Sequence, residues 1–183
     1  MAAAYYLAGQ GIHIMGIIDR TGGPLKADGF GLEEIRGLQG QHTSWQKLTV
    51  VRRNQHNHLV DIFIPAAASH LVAREQLEQL LASGLKVISC GANVPFANPE
   101  IFFDPTGEFA DQHAAVIPDF IANYGMTRVF AYLMETDAEI TDQANFADTS
   151  RIIGAALERT HQENTLATGI AQRSFEMALR QLV

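Results

Sequence analysis

Cysteine is almost absent from this sequence: its 183 residues include one, Cys90. A single cysteine can form neither an intramolecular disulfide nor a cysteine-rich zinc site, so neither device can stabilise the fold. A reducing, cytoplasmic compartment is therefore the predicted location. The 7 histidines lack the spacing typical of metal ligands, and no metal site is predicted.

Basic residues and long apolar runs are also scarce. The chain has 13 Lys and Arg against 20 Asp and Glu, a net charge of −7, and this acidity disfavours binding to nucleic acid. No apolar run approaches the roughly 18 residues that cross a bilayer, and the N-terminus lacks the basic region of a secretory signal. The sequence thus predicts a soluble protein with no membrane and no nucleic-acid partner.

What the sequence does contain is a series of short apolar runs with the character of strands buried on both faces: residues 12–18, 60–64, 86–90 and 115–117. A helix or a long crossover separates each run from the next, which is the pattern of a parallel sheet. Composition and apolar spacing predict helices at residues 2–9, 32–38, 74–81, 129–134, 146–159 and 167–182.

These elements predict the α/β class, with a doubly wound (Rossmann-like) parallel sheet and C-terminal helices. We expect residues 1–135 to form a cofactor-binding domain and residues 136–183 a helical segment that packs on it. Residues 40–58 show no clear period and are left without a predicted element.

Ligands of open α/β sheets bind beyond the carboxyl ends of the strands, so the residues after each strand are the candidate site. Asp19 follows the first run and could accept hydrogen bonds from an adenosine ribose, or be a solvated turn residue. Arg20 beside it could favour a 2′-phosphate, which leaves the choice between NAD and NADP open. Ala66 and Ala67 follow the second run and would let a ligand approach the backbone, or simply form a turn.

Two asparagines follow the third and fourth runs. Asn93 and Asn123 each offer a carboxamide that could pair with ribose hydroxyls or with another carboxamide, although asparagine also commonly bonds loop backbone. Two of them at one sheet edge favour a ligand. Cys90, at a strand end, is interpreted as a small core residue because no base for it can be identified.

Three motifs then resemble a known family. They are DIFIPAA at 61–67, GANVP at 91–95 and IPDFIANYG at 117–125. In order and spacing they are similar to the cofactor domain of the glutamate/leucine/phenylalanine/valine dehydrogenases. That family oxidatively deaminates an L-amino acid to a 2-oxo acid and ammonia, and passes hydride to NAD or NADP.

The resemblance implies roles for the candidate residues. Asp19 would lie near the adenine ribose, Ala66 and Ala67 near the ribose-pyrophosphate, and the two asparagines near the nicotinamide half. Thr127 and Phe130 would face the substrate side chain. Family members that take glutamate have a serine near the place of Phe130, and an apolar ring cannot hydrogen-bond a second carboxylate, so glutamate is not the favoured substrate.

The resemblance also implies that the family's first strand, its glycine-rich phosphate loop and its catalytic N-terminal domain should precede this sequence. We therefore expect a cofactor-binding part that is inactive by itself, from a parent that forms a homo-oligomer, and we assign no catalytic residue. The alternative is a non-catalytic α/β interaction or regulatory module that self-associates. A methyltransferase-like enzyme ranks last, because it would need its own glycine-rich loop.

Overall fold

A computed structural model describes residues 2–18, 23–38, 60–98, 100 and 104–181 of the chain. The chain divides into two compact units, Met1–Leu59 and Val60–Val183, and each is described by itself. This boundary differs from the sequence-based division after residue 135, which stays a prediction about domains.

The first unit contains two helices. They are α1, Ala2–Gly9, and α2, Leu32–Leu38, which confirms both predicted helices. The Arg36 guanidinium of α2 donates to the Tyr5 hydroxyl of α1 at 2.6 Å, and Ile35 of α2 is fully buried. The unit therefore has a small apolar centre within its described residues.

The prediction of a buried strand at residues 12–18 is wrong. Ile12 and Ile18 are 41% and 49% exposed, and Gly16 forms only an isolated antiparallel bridge with Leu25. The backbone of this run pairs instead with the turn that follows it, through Ile17 N–H to Pro24 O, Lys26 N–H to Met15 O and Phe30 N–H to Ile14 O. Because a nearby turn pairs with this backbone, the run does not require a parallel neighbour.

The second unit is built on a parallel sheet. Its strands are β1, Ile62–Phe63, β2, Val87–Ser89, and β3, Ala115–Ile117, in the order β1-β2-β3. In the register, Ile62 lies opposite Val87 and Ile88 opposite Val116. The predicted parallel α/β architecture is confirmed, with strands shorter than the apolar runs that predicted them.

Six described helices accompany this sheet: α3, Arg74–Ala82; α4, Pro105–His113; α5, Asp119–Ala122; α6, Gly125–Leu133; α7, Asp142–Glu163; and α8, Ile170–Arg180. Four of them confirm predicted helices, with bounds that differ by a few residues. Helices α4 and α5 were not predicted. No helix in the described ranges is long and apolar enough to cross a lipid bilayer.

The core of the second unit surrounds the central strand β2. Ile88 is fully buried there and packs in a cluster with Val72, Leu77, Leu85, Cys90, Phe96, Ala110, Ala114 and Val116. Burial raises the pKa of the Cys90 thiol to about 12. At neutral pH this thiol is protonated and packs as a small apolar side chain, in agreement with its interpretation as a core residue.

A buried carboxylate connects α4 with α8. The two Asp111 oxygens accept the backbone N–H groups of Ala171 and Gln172, each at 3.0 Å. Gly169, with φ of 73°, donates its own N–H to the Asp111 carbonyl at 2.7 Å. The first turn of α8 is therefore capped by a residue from another helix, which fixes α8 beside the sheet.

Candidate functional site

The loops after the three strands lie side by side at the carboxyl edge of the sheet. The N–H of Ala92, after β2, donates to Pro65 O after β1 at 2.9 Å, and Cys90 N–H donates to Ile117 O of β3 at 3.0 Å. A Cβ atom added at Gly91 would lie 2.9 Å from Ala66 Cβ. The first two loops thus pack so closely that Gly91 leaves no room for a side chain.

The two predicted asparagines meet at this edge. Asn123 Nδ2 donates to Asn93 Oδ1 at 2.7 Å, and both residues are exposed. A carboxamide has two donor hydrogens and two acceptor lone pairs, so one mutual bond leaves hydrogen-bonding capacity on each side chain. The structure therefore brings together two amides that can bind the same polar ligand; their cofactor role stays a prediction.

The backbone beside Asn93 adopts an uncommon conformation. Val94 has φ of 43°, in the left-handed region that β-branched residues avoid. Its N–H donates to Asp119 Oδ2 at 2.8 Å, and its carbonyl accepts the His70 N–H, also at 2.8 Å. Contacts from the loop after β1 and from the first residue of α5 therefore hold the Val94 backbone on both sides.

His70 is itself fixed in the left-handed region, with φ of 56°. Its ring Nδ1 lies 2.8 Å from Asn98 O and 3.1 Å from Phe96 O, so the protonated nitrogen can donate to these carbonyls. Neither His70 nor Asp119 was predicted as a site residue. For Asp119 a signal existed, since an acidic residue follows Pro118 directly after a strand, whereas nothing in the sequence indicates the φ of Val94.

Ala66 and Ala67 follow the buried Pro65 and are both exposed. Because neither side chain extends beyond Cβ, a ligand can approach the backbone of this loop closely. Asp19 and Arg20, the predicted ribose and 2′-phosphate contacts, lie outside the described residues. Two of the four residues predicted for the adenosine-pyrophosphate half thus lie at the sheet edge, and their cofactor role stays a prediction.

Thr127 and Phe130 belong to α6, which begins two residues after Asn123. Thr127 is in the first turn and exposed, and the Phe130 side chain in the second turn is 64% exposed. An exposed aromatic ring of this kind is available to an apolar partner. Within the described ranges, no side-chain hydrogen bond joins either residue to the asparagine pair.

An ion-pair cluster fixes α6 against α7. Arg128 Nε donates to Asp148, Arg128 Nη2 lies 2.9 Å from Glu135, and Arg151 lies 2.6 Å from the same Asp148. The Arg128 and Asp148 side chains are only 15% and 11% exposed. The hydrogen bond from Arg128 holds the pKa of Asp148 below its ordinary value of 3.8. The helix that carries Thr127 and Phe130 is therefore anchored.

In the described part of the chain, no group of three or more His, Cys, Asp or Glu residues could hold a metal ion. The sheet edge presents the two carboxamides together with backbone N–H and carbonyl groups and the Asp119 carboxylate. Both oxygens of Asp119 accept backbone N–H groups, from Val94 and Phe120. Because the Asp119 oxygens are occupied by these bonds, the groups left to bind and orient a polar ligand are the two carboxamides, which do so through neutral hydrogen bonds.

Together these features define an α/β protein with a parallel sheet and a hydrogen-bonding site at its carboxyl edge, where such sheets bind nucleotides. The family model described as Glutamate/Leucine/Phenylalanine/Valine dehydrogenase matches residues 1–165. The chain belongs to this dehydrogenase family, and the resemblance seen in its motifs is confirmed.

The fold is also similar to that in the crystal structure of the glutamate dehydrogenase of Plasmodium falciparum. That comparison gives a TM-score of 0.63 at 15% sequence identity, and it covers 98% of this chain and 43% of that one. The likeness at this identity concerns the fold alone, and the chain spans less than half the length of that enzyme. No curated protein matches the chain.

Proposed function

We propose that this chain is the C-terminal cofactor-binding part of an amino acid dehydrogenase. The full-length parent would convert an L-amino acid to a 2-oxo acid and ammonia, and NAD or NADP when bound would supply the hydride acceptor. The observation that carries the proposal is the 2.7 Å hydrogen bond between Asn93 and Asn123 at the carboxyl edge of the sheet, in a member of the dehydrogenase family.

The described residues fit a dinucleotide. The exposed Ala66 and Ala67 would lie along the ribose-pyrophosphate, where the close packing of Gly91 against Ala66 keeps the edge free of larger side chains. Asn93 and Asn123 would hydrogen-bond the nicotinamide half through the donors and acceptors that their mutual bond leaves available. Asp19 and Arg20 would contact the adenine ribose and decide between NAD and NADP.

Thr127 and Phe130 would face the substrate side chain. Since the Phe130 ring cannot hydrogen-bond a carboxylate, we propose an L-amino acid other than glutamate as the favoured substrate. The parent would work as a homo-oligomer in the cytoplasm, without a nucleic-acid or membrane partner. We further propose that the present chain does not turn over by itself and binds dinucleotide weakly.

Titration of the isotope-labelled chain with NAD and with NADP, followed by two-dimensional NMR, tests the cofactor site. We expect millimolar dinucleotide to shift the side-chain amide signals of Asn93 and Asn123 and the backbone signals of Ala66 and Ala67. Asn93→Ala and Asn123→Ala should each weaken binding by about fivefold, because a lost hydrogen bond in a ligand site contributes about 1 kcal/mol.

Asn164→Ala is the matched control, since the Asn164 side chain bonds only the local backbone N–H of Leu166 in the described structure. Its affinity should equal that of the unchanged chain. Shifts confined to other surfaces, or equal affinities in all three variants, would exclude the proposed site. Amino-acid-dependent absorbance at 340 nm from the chain alone would contradict its proposed inactivity.

A self-associating interaction module is the second candidate, and exposed apolar side chains favour it. Met126, Phe130 and Met134 on and after α6 are 67%, 64% and 87% exposed, and their spacing of four residues places them on one helical face. Sedimentation velocity in the presence and absence of dinucleotide separates the candidates. Concentration-dependent association without any dinucleotide response supports the module; a monomer that responds to dinucleotide supports the cofactor domain.

A further inference from the structure

We propose that Asp119 is a positioning residue: its carboxylate holds the Val94 peptide in the conformation that sets Asn93 against Asn123. This inference rests on the proposed function for its purpose, since the asparagine pair is the proposed nicotinamide contact. The arrangement itself can be measured without any cofactor.

The backbone at Val94 is held in an unfavourable conformation. Val94 has φ of 43°, and a β-branched residue keeps such a conformation only where its surroundings enforce it. The N–H of Val94 belongs to the peptide unit that it shares with Asn93. The bond of this N–H to Asp119 Oδ2, at 2.8 Å, therefore fixes the plane from which the Asn93 side chain departs.

Asp119 also contacts the other asparagine. Asn123 N–H donates to the Asp119 carbonyl at 2.8 Å, because α5 is a single turn that begins at one residue and ends beside the other. One residue thus holds Asn93 through its side chain and Asn123 through its main chain. Removal of the carboxylate should release the Asn93 side of the pair and leave the Asn123 side in place.

Asp119 could also act simply by stabilising the start of α5, and this role must be distinguished from the positioning of Val94. Asp119 Oδ1 also accepts the Phe120 N–H at 2.9 Å, and an acidic residue in the first turn stabilises a helix. A weakened start of α5 would act on Asn123 at the end of that turn, whereas loss of the contact with Val94 acts on Asn93, and a general loss of stability acts on neither specifically. Thr141→Ala is the control for a general loss of stability, because Thr141 caps α7 by accepting the Ala144 N–H, and the hydrogen bonds of its hydroxyl in the described structure are with Ala144 and Glu139.

The measurement is the side-chain amide signal of Asn123 in NMR spectra of the whole chain without ligand. A donor hydrogen bonded to Asn93 Oδ1 should shift downfield of its geminal partner. Asp119→Ala should return the two proton shifts to those of a free carboxamide, whereas Asp119→Asn, which keeps an acceptor oxygen, should retain the downfield shift. Thr141→Ala should leave the signal unchanged, even where its unfolding midpoint falls as far as that of Asp119→Ala.

A double variant completes the test. It also shows whether a lost signal in Asp119→Ala comes from general misfolding, which a change at Val94 would not repair. Glycine adopts positive φ without strain, so Val94→Gly in the Asp119→Ala background should restore the Asn123 signal. An unchanged signal in Asp119→Ala, or its loss in the double variant, overturns the proposal. Because no dinucleotide is used, these outcomes are independent of whether the chain binds NAD or NADP.

Discussion

Residues 12–18 and 60–64 are both short apolar runs, yet they have different structures. The second run contains β1, which pairs with β2 in parallel register. The first run makes one isolated antiparallel bridge and leaves Ile12 and Ile18 close to half exposed. Apolar composition predicts that a segment can be buried, but a strand forms only where another backbone is positioned to pair with it.

The largest expected difference between the two units is in the free energy of unfolding that is lost when an isoleucine is shortened to alanine. Ile88→Ala in the central strand should lower the free energy of unfolding by about 2–5 kcal/mol, because a fully buried isoleucine leaves a cavity. Ile18→Ala removes the same atoms from a half-exposed site of the first unit and should cost about 0.5 kcal/mol. Urea unfolding followed by circular dichroism measures both. Equal losses would show that residues 12–18 are as well packed as β2.

Close packing of glycine gives an intermediate difference. Gly91→Ala puts a methyl group 2.9 Å from Ala66 Cβ, which cannot move without its backbone, and should cost about 1–3 kcal/mol. Gly16→Ala in the first unit would bring the methyl group 2.7 Å from Leu25 Cδ2, the movable end of a side chain, and 4.0 Å from Pro24 O, an ordinary contact, so it should cost less. Differential scanning calorimetry compares the two. Ala66→Gly should recover part of the loss in Gly91→Ala and none in Gly16→Ala.

The smallest difference concerns ion pairs. Hydrogen bonds from Arg128 and from Lys26 hold the pKa values of Asp148 and Glu34 below their ordinary values of 3.8 and 4.5. Each carboxylate therefore stabilises its unit above that ordinary value, and the contribution is lost as the pH falls through the lowered pKa of the folded state. Asp148→Asn and Glu34→Gln should both destabilise at pH 7, and neither should have an effect at strongly acidic pH.

Added salt should reduce the loss of stability in Glu34→Gln more than that in Asp148→Asn. The Lys26 and Glu34 side chains are 40% and 51% exposed, so 1 M NaCl, with a Debye length of about 3 Å, should remove most of their attraction. The less exposed Arg128–Asp148 pair should keep more of its effect. Urea titrations at pH 7 with and without salt provide the measurement; equal salt sensitivity would contradict the difference in burial.

Much of the second unit could be predicted from the sequence, because its patterns are local. The apolar runs at 60–64, 86–90 and 115–117 contain the three strands, and apolar spacing located α3, α7 and α8. Helix α4 was missed although Asp104 and Pro105 form a typical start: the carboxylate accepts the N–H groups of Thr106 and Gly107. The structure of residues 12–18 depends on which backbone is its neighbour, and composition does not contain that information.

The candidate site was predictable to the extent that it follows from topology. Parallel strands end at a common edge, and so residues after β2 and β3, among them Asn93 and Asn123, were expected to be close together. The support beneath them was not predictable. The contact of Asp119 with the Val94 N–H joins residues 25 positions apart through a backbone conformation that valine rarely adopts.

The carboxylate of Asp111 has a practical consequence for anyone who shortens this chain. Burial raises the pKa of Asp111, and its two oxygens are satisfied by the first turn of α8. A truncation before Ile170 would remove both donors and leave an acidic group in an apolar setting at the end of α4, which adjoins β3. A useful shortened version should therefore retain α8 in full, or replace Asp111 by a neutral residue at the same time.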